Sequence, residues 1–236
     1  MRNVTGYERP STIEAALRCL RRRDAVVLAG GTRLNAKRDE HPVVLVDLQA
    51  LRLDRIERSG DDRLAVGAMV TLQALASHPA VPTAVREAAR RELPSTLRAV
   101  ATLGGCVATA DRESELFATL LVHDTRVRTA TGAVLALEDT GLPRGRDFFT
   151  SVEFATSGAC ASARTGRTRA DRPIVAAVAR RAPDGSCRLA LSGVSSRPLL
   201  VDDLDELDPP SDFRGSPEYR RALATTLVTR ALDEVT

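Results

Sequence analysis

Apolar residues recur at helical spacing near the start of the chain, where Ile13, Ala16, Leu17 and Leu20 share one face. Ser11-Thr12-Ile13-Glu14 reads as a capping box opening that helix. Arg21-Arg22-Arg23 closes it, where cations suit the macrodipole. Two wholly apolar runs follow, Ala25-Val26-Val27-Leu28 and Val43-Val44-Leu45-Val46-Asp47-Leu48. Runs apolar on both faces predict strands of a parallel or well-covered sheet. A short helix between them makes a β-α-β unit. Residues 56–69 alternate around Ser59-Gly60-Asp61-Asp62, the pattern of a hairpin. Residues 71–77 and 83–92 predict two short helices, separated by His78-Pro79 and ended by Pro94. A third helix is expected over residues 114–122, and a second hairpin over 126–137 turns at Thr131-Gly132.

The pattern changes after about residue 150. Residues 157–169 are rich in Gly, Ala, Ser, Thr and Arg with little periodicity, and suit a linker, a mobile loop or a strand of small residues. Residues 174–180 and 187–194 predict two strands joined by Pro183-Asp184-Gly185. Pro209-Pro210 breaks the chain again. A terminal amphipathic helix is expected over residues 218–234, with Tyr219, Leu223, Leu227 and Ala231 on one face. There is no internal repeat. The pattern therefore predicts an α+β domain over residues 1–150 and a small β-sheet plus helix domain over residues 151–236.

Composition narrows the function classes. A chain of 236 residues, 43% of them apolar, has material for one large core or two modest ones. Its 34 basic and 31 acidic residues leave a net charge of only +3, which argues against a nucleic-acid footprint. Lys37 is the only lysine, so the basic count is an arginine bias. Cys19, Cys106, Cys160 and Cys187 lie far apart, with neither the spacing of a zinc site nor that of an iron–sulfur cluster. Cys19 reads as a small hydrophobe on a helix face. No apolar run approaches the roughly 20 residues of a membrane span, and no apolar signal region opens the chain. A cytoplasmic protein is the expectation.

Two Gly-Gly pairs carry the candidate chemistry. Leu28-Ala29-Gly30-Gly31-Thr32-Arg33-Leu34 and Ala101-Thr102-Leu103-Gly104-Gly105-Cys106-Val107-Ala108-Thr109 each place the pair after an apolar run and before a hydroxyl or thiol residue. Consecutive N–H groups in such turns form anion nests, and two nests suit the two phosphates of a dinucleotide. Neither loop has the P-loop or G-x-G-x-x-G spacing, and each taken alone also reads as an ordinary tight turn. No nucleophile elbow or acid–base constellation is present, so no catalytic side chain is assigned. His41, His78 and His123 read as structural or surface residues. Asp202, Asp203, Asp205, Glu206 and Asp208 lack the spacing of a calcium loop. Any redox chemistry would be a cofactor's.

The two loops together resemble the signature of the FAD-binding subunits of molybdenum hydroxylases, the xanthine dehydrogenase and carbon monoxide dehydrogenase type. Further segments resemble that family in the same order: Tyr7-Glu8-Arg9-Pro10-Ser11-Thr12, Val46-Asp47-Leu48, Val66-Gly67-Ala68-Met69-Val70-Thr71 and Gly215-Ser216-Pro217-Glu218-Tyr219-Arg220. The resemblance implies a two-part, PCMH-like FAD-binding domain followed by a small C-terminal domain, with FAD as cofactor. It places Ala29, Gly30, Gly31, Thr32, Arg33 and Leu34 at the first pyrophosphate loop, and Ala101, Thr102, Gly104, Gly105, Cys106 and Thr109 at the second. Ser114 and Glu115 fall at the family's aspartate segment. Phe148 and Phe149 fall where the family has apolar residues beside the flavin ring. Arg164 falls near a family lysine that reaches the flavin.

The sequence departs from the family in places. Cys106 replaces an asparagine, exchanging a good hydrogen-bonding amide for a poor thiol. Glu115 replaces an aspartate, and Asp111-Arg112-Glu113-Ser114 adds acid near the expected pyrophosphate. The segment from 137 to 151 is short for the family, which suggests a trimmed cover over the flavin. Three functions stay open. One is an electron-relay subunit working with iron–sulfur and molybdopterin subunits and passing electrons to NAD, a quinone or oxygen. The second is a stand-alone FAD enzyme acting on a small-molecule substrate. The third is a scaffold that has lost FAD.

Overall fold

The computed structural model describes residues 3–36, 41–139, 146–166, 168 and 171–236. The chain opens with β1 (Asn3–Glu8), α1 (Ile13–Cys19), β2 (Ala25–Leu28), α2 (Thr32–Ala36) and β3 (Pro42–Asp47). The three strands form a parallel sheet in the order β1-β3-β2, so the two apolar runs do enclose a β-α-β unit. Thr12, not Ser11, caps α1: its hydroxyl accepts from the Ala15 N–H at 3.2 Å, and because Ala15 stands at the third helical position there is an N-cap but not the expected capping box. Ala16 and Leu20 bury against Val46, Leu48 and Phe148 in a small core of their own.

The middle of the chain contributes β4 (Ile56–Arg58), β5 (Arg63–Gly67), α3 (Leu72–Ser77), α4 (Thr83–Glu92), α5 (Ser95–Arg98), α6 (Leu103–Thr109), α7 (Glu115–Val122), β6 (Arg126–Thr129), β7 (Val134–Ala136) and β8 (Phe149–Ala155). The strands make an antiparallel sheet in the order β4-β5-β8-β6-β7. Both expected hairpins are there, but β8 separates them. Sequence alternation shows the hairpins and carries no record of β8, whose partners in β5, such as Gly67 for Ser151, lie far back in the chain. Residue 150, where the sequence pattern changes, lies inside β8.

Residues 156–158 lead into β9 (Ala159–Thr165), β10 (Val175–Arg181), β11 (Cys187–Ser192) and β12 (Leu199–Leu200), an antiparallel sheet in the order β12-β11-β10-β9. The small-residue stretch is thus largely a strand. Residues Val175 to Arg180 are all buried, because α7 packs on β10 and so does the terminal helix α8 (Pro217–Asp233). The buried face of α8 is Arg220, Ala224, Leu227, Val228 and Ala231. It is rotated from the expected face, and Tyr219 is exposed. The reason is polar: the fully buried Arg220 guanidinium donates to the carbonyls of Ile174 (2.8 Å) and Gly193 (2.7 Å) and to Asp212 (2.8 Å). No described helix is long and apolar enough to cross a membrane.

Candidate functional site

The first glycine loop begins where β2 ends in the parallel sheet. Gly31 has φ 70°, in the left-handed region that disfavours a side chain. A Cβ on Gly30 would lie 2.0 Å from the carbonyl oxygen of Val100, so the backbone of residues 100–101 requires this glycine. The N–H groups of Gly30, Gly31, Thr32 and Arg33 have no acceptor among the described residues. Consecutive N–H groups left free in a glycine turn are the donors from which an anion nest can be built.

The second glycine pair is built differently. It is not a loop but the first turn of α6, capped by Thr102, whose hydroxyl accepts from the Gly105 N–H at 3.2 Å. The Leu103 N–H donates to the Val70 carbonyl and the Gly104 N–H to the Ala68 carbonyl, both at 2.9 Å. The Cys106 N–H donates to the Thr102 carbonyl at 3.0 Å. These N–H groups are therefore committed within the chain, and the expected second nest is replaced by a docked helix start. Gly104 serves that docking, since a Cβ there would meet the Ala68 Cβ at 2.7 Å.

Both segments line one cavity of about 360 Å³. Ala29, Gly30, Gly31, Thr32, Arg33 and Leu34 lie in its wall, with Ala101, Thr102, Gly104, Gly105, Cys106, Thr109, Phe148 and Phe149. Val27, Leu48, Ala68, Met69, Leu93 and Ala108 make much of the remainder apolar. A second hollow of about 430 Å³ adjoins it, sharing Ala29, Gly30, Met69 and Thr102 and adding Arg9, Gln49 and Asp54.

Two of the expected residues lie outside this wall. Ser114 is buried and caps α7 through the Phe117 N–H at 3.0 Å. The Glu115 carboxylate, also buried, accepts from Arg91 Nη2 at 2.6 Å and Ser162 Oγ at 2.9 Å. Arg164 stands 3.7 Å from Glu115 and donates to the Asp171 carbonyl, so it belongs to that cluster and not to the cavity. The chain turns between Thr109 and Ser114 and carries these side chains away from α6. Residues 140–145, part of the segment expected to be a short cover, lie outside the described residues.

Asp111, whose segment the sequence places near the expected pyrophosphate, does line the cavity; Glu92, Asp147 and Arg172 line it too, with no sequence signal of their own. They share no motif. Their signal would have been charge complementarity between segments far apart in the chain. Asp111 pairs with Arg33 and, at 3.0 Å, with Arg172; Arg172 reaches Glu92 at 3.4 Å. Burial acts to raise the Asp111 pKa, but the contacts with Arg33 and Arg172 outweigh it and hold it at about 2. Burial dominates at Glu92 and raises its pKa against the pull of Arg172. Burial likewise pushes the Cys106 thiol up, with Glu92 nearby adding to the effect, so the thiol is neutral. Thr131 Oγ1 donates to Asp147 at 2.6 Å, and the Phe148 N–H does so at 2.8 Å.

This arrangement offers N–H donors to an anion, with two guanidinium groups beside them that Asp111 holds, and a largely apolar wall that Phe148 and Phe149 help to line. Residues 2–139 match the family of the FAD binding domain in molybdopterin dehydrogenase. The Escherichia coli K12 protein YgfM, described as uncharacterized, is 30% identical over 95% of this chain and 94% of its own. Quinoline 2-oxidoreductase from Pseudomonas putida 86 superposes with a TM-score of 0.86 at 24% identity, covering 98% of this chain and 96% of its own. Reconstituted carbon monoxide dehydrogenase from Oligotropha carboxidovorans gives 0.86 at 25% identity, with the same coverage. The chain belongs to the family of FAD-binding domains of molybdopterin dehydrogenases, and its cofactor is FAD.

Proposed function

We propose that this chain is the FAD-carrying oxidoreductase subunit of a molybdenum-hydroxylase-type complex. In that role it passes electrons between iron–sulfur and molybdopterin subunits and an acceptor such as NAD, a quinone or oxygen. The observation that carries the reading is the cavity that joins the open N–H groups of residues 30–33 to Phe148 and Phe149. FAD, when bound, supplies the step between two-electron and one-electron chemistry. The protein's residues bind and orient it. Gly30 to Arg33 offer N–H donors to the diphosphate, and Phe148, Phe149 and Met69 exclude water. Glu92, with its pKa raised by burial, keeps a proton at its carboxyl to higher pH than an exposed glutamate. The four cysteines are free and scattered, so the proposal assigns the clusters to separate chains.

The test is a visible absorption spectrum of the purified chain, repeated on the supernatant after denaturation, with iron and molybdenum assayed in what co-purifies. A released flavin together with co-purifying iron and molybdenum supports the relay. A flavin that a small molecule bleaches anaerobically, without partners, favours the stand-alone enzyme instead. Absence of flavin after incubation with excess FAD overturns the relay and favours the scaffold.

A further inference from the structure

The cavity's two guanidinium groups come from distant parts of the chain, Arg33 in α2 and Arg172 just before β10, and one carboxylate engages both. The two contacts fall on the same oxygen, Oδ2 of Asp111, while its Oδ1 accepts from the Glu113 N–H at 3.1 Å. We propose that Asp111 is a built-in competitor for the cofactor's diphosphate, holding the Arg33 and Arg172 cations until the phosphates displace it. The proposal rests on the cavity being the FAD site and adds the residue that sets its affinity.

Three observations carry it. First, a carboxylate oxygen and a phosphate oxygen ask the same thing of a guanidinium: a short, charge-assisted hydrogen bond. Both cations in the wall already make that bond to Asp111. Second, Asp111 and Asp147 together balance the two guanidinium groups, while burial favours the protonated form of Glu92, so a dianion meets no surplus positive charge as long as Asp111 stays. Glu92 lies 3.4 Å from Arg172, and Asp147 is an anion tied to Thr131. A diphosphate therefore meets attractive guanidinium groups only if Asp111 leaves them. Third, leaving is sterically open. The Arg33 side chain is 52% exposed and that of Asp111 18%, so the pair lies at the mouth and the released carboxylate can reach water. If Asp111 instead braced the two arginines for the ligand, its removal would weaken binding. The sign of the effect separates the two roles.

The experiment titrates the full chain and its Asp111→Asn variant with FAD by flavin fluorescence, and with inorganic pyrophosphate by calorimetry. Asparagine keeps the shape and removes the charge. Both ligands are expected to bind the variant about tenfold tighter or more, the scale of one ionic contact at a partly exposed site. Its affinity should also depend more steeply on salt. Equal or weaker binding by a folded variant overturns the proposal, as does failure of both proteins to bind either ligand. Tighter pyrophosphate binding without FAD binding would uphold the competitor and sink FAD as the ligand of this cavity. Equal FAD binding by both proteins would do the reverse. Should the variant not fold, the wild-type chain carries the test through amide-resolved hydrogen exchange. Saturation with pyrophosphate should speed exchange at the Glu113 N–H, which loses its Asp111 acceptor, while residues 30–33 slow down. Unchanged exchange at Glu113 overturns the proposal.

Discussion

Replacing Glu115 tests the separation between the cavity and the ionic cluster behind it. Its carboxylate is 2% exposed and joins three elements: Arg91 of α4 at 2.6 Å, the start of α7, and Ser162 of β9 at 2.9 Å, with Arg164 of β9 at 3.7 Å. In Glu115→Gln the shape is kept, but one oxygen becomes an amide that turns donors toward a guanidinium. Breaking a fully buried pair costs about 3–5 kcal/mol. The cost here is smaller, because the stranded cations have other outlets. Arg91 is 31% exposed and keeps Glu87 at 3.3 Å, and Arg164 keeps the Asp171 carbonyl. We expect about 2 kcal/mol. With a urea dependence of roughly 2–3 kcal/mol per molar, the unfolding midpoint falls by about 0.7–1 M. FAD affinity should stay within about threefold, since Glu115 does not line the cavity, and such a factor is well under 1 kcal/mol. Glu115→Asp, which restores the family's residue, should also lose stability and gain no affinity, because the shorter side chain retreats from Arg91. A Glu115→Gln protein of unchanged stability that no longer binds FAD would refute this geometry.

Three further outcomes follow from the structure. Gly30→Ala drives a Cβ to 2.0 Å from the Val100 carbonyl oxygen, so the two glycine segments must part; unfolding free energy should drop by about 1–3 kcal/mol and FAD binding should weaken with it. Cys106→Asn adds an amide donor to the cavity wall, and isothermal titration should show FAD binding about fivefold tighter, the scale of one hydrogen bond, with the fold retained. His123 is buried, its Nδ1–H donates to the Ala155 carbonyl at 2.8 Å and its Nε2 has no partner; burial carries its pKa from 6.5 down to about 4. The folded chain refuses a proton that the unfolded chain accepts below pH 6.5. That contribution is therefore complete above pH 6.5 and is lost as pH falls to about 4, by about 3 kcal/mol at most. Glu92 runs the other way, its raised pKa stabilising the fold at low pH and less as pH rises. The difference in urea midpoint between wild type and His123→Asn across pH 4 to 7 isolates the histidine, and a pH-independent difference would contradict this.

The elements that the sequence determined are those whose signal is local. Residues 25–28, 71–77 and 83–92 carry their own periodicity, caps and breakers, and each became the expected strand or helix. The first glycine loop was legible for the same reason, whereas the second pair proved to be a helix start; the cavity wall holds the binding residues expected of both, with Phe148 and Phe149. Tertiary structure decided whatever depends on partners far away in the chain. It placed β8 between the two hairpins, and it turned α8 so that Arg220 met the carbonyls of Ile174 and Gly193. It also decided what the glycines are for. Gly30 answers to Val100 and Gly104 to Ala68, contacts that composition cannot announce because they are made by backbone and a methyl group. The charges show this most plainly. The sequence points to Arg33 in the first glycine loop and to acid at Asp111, but nothing in it links either to Arg172 or Glu92. They become one cluster because the fold brings four separated segments to a single cavity mouth, and ionic interactions weaken with distance in space, not with separation in sequence.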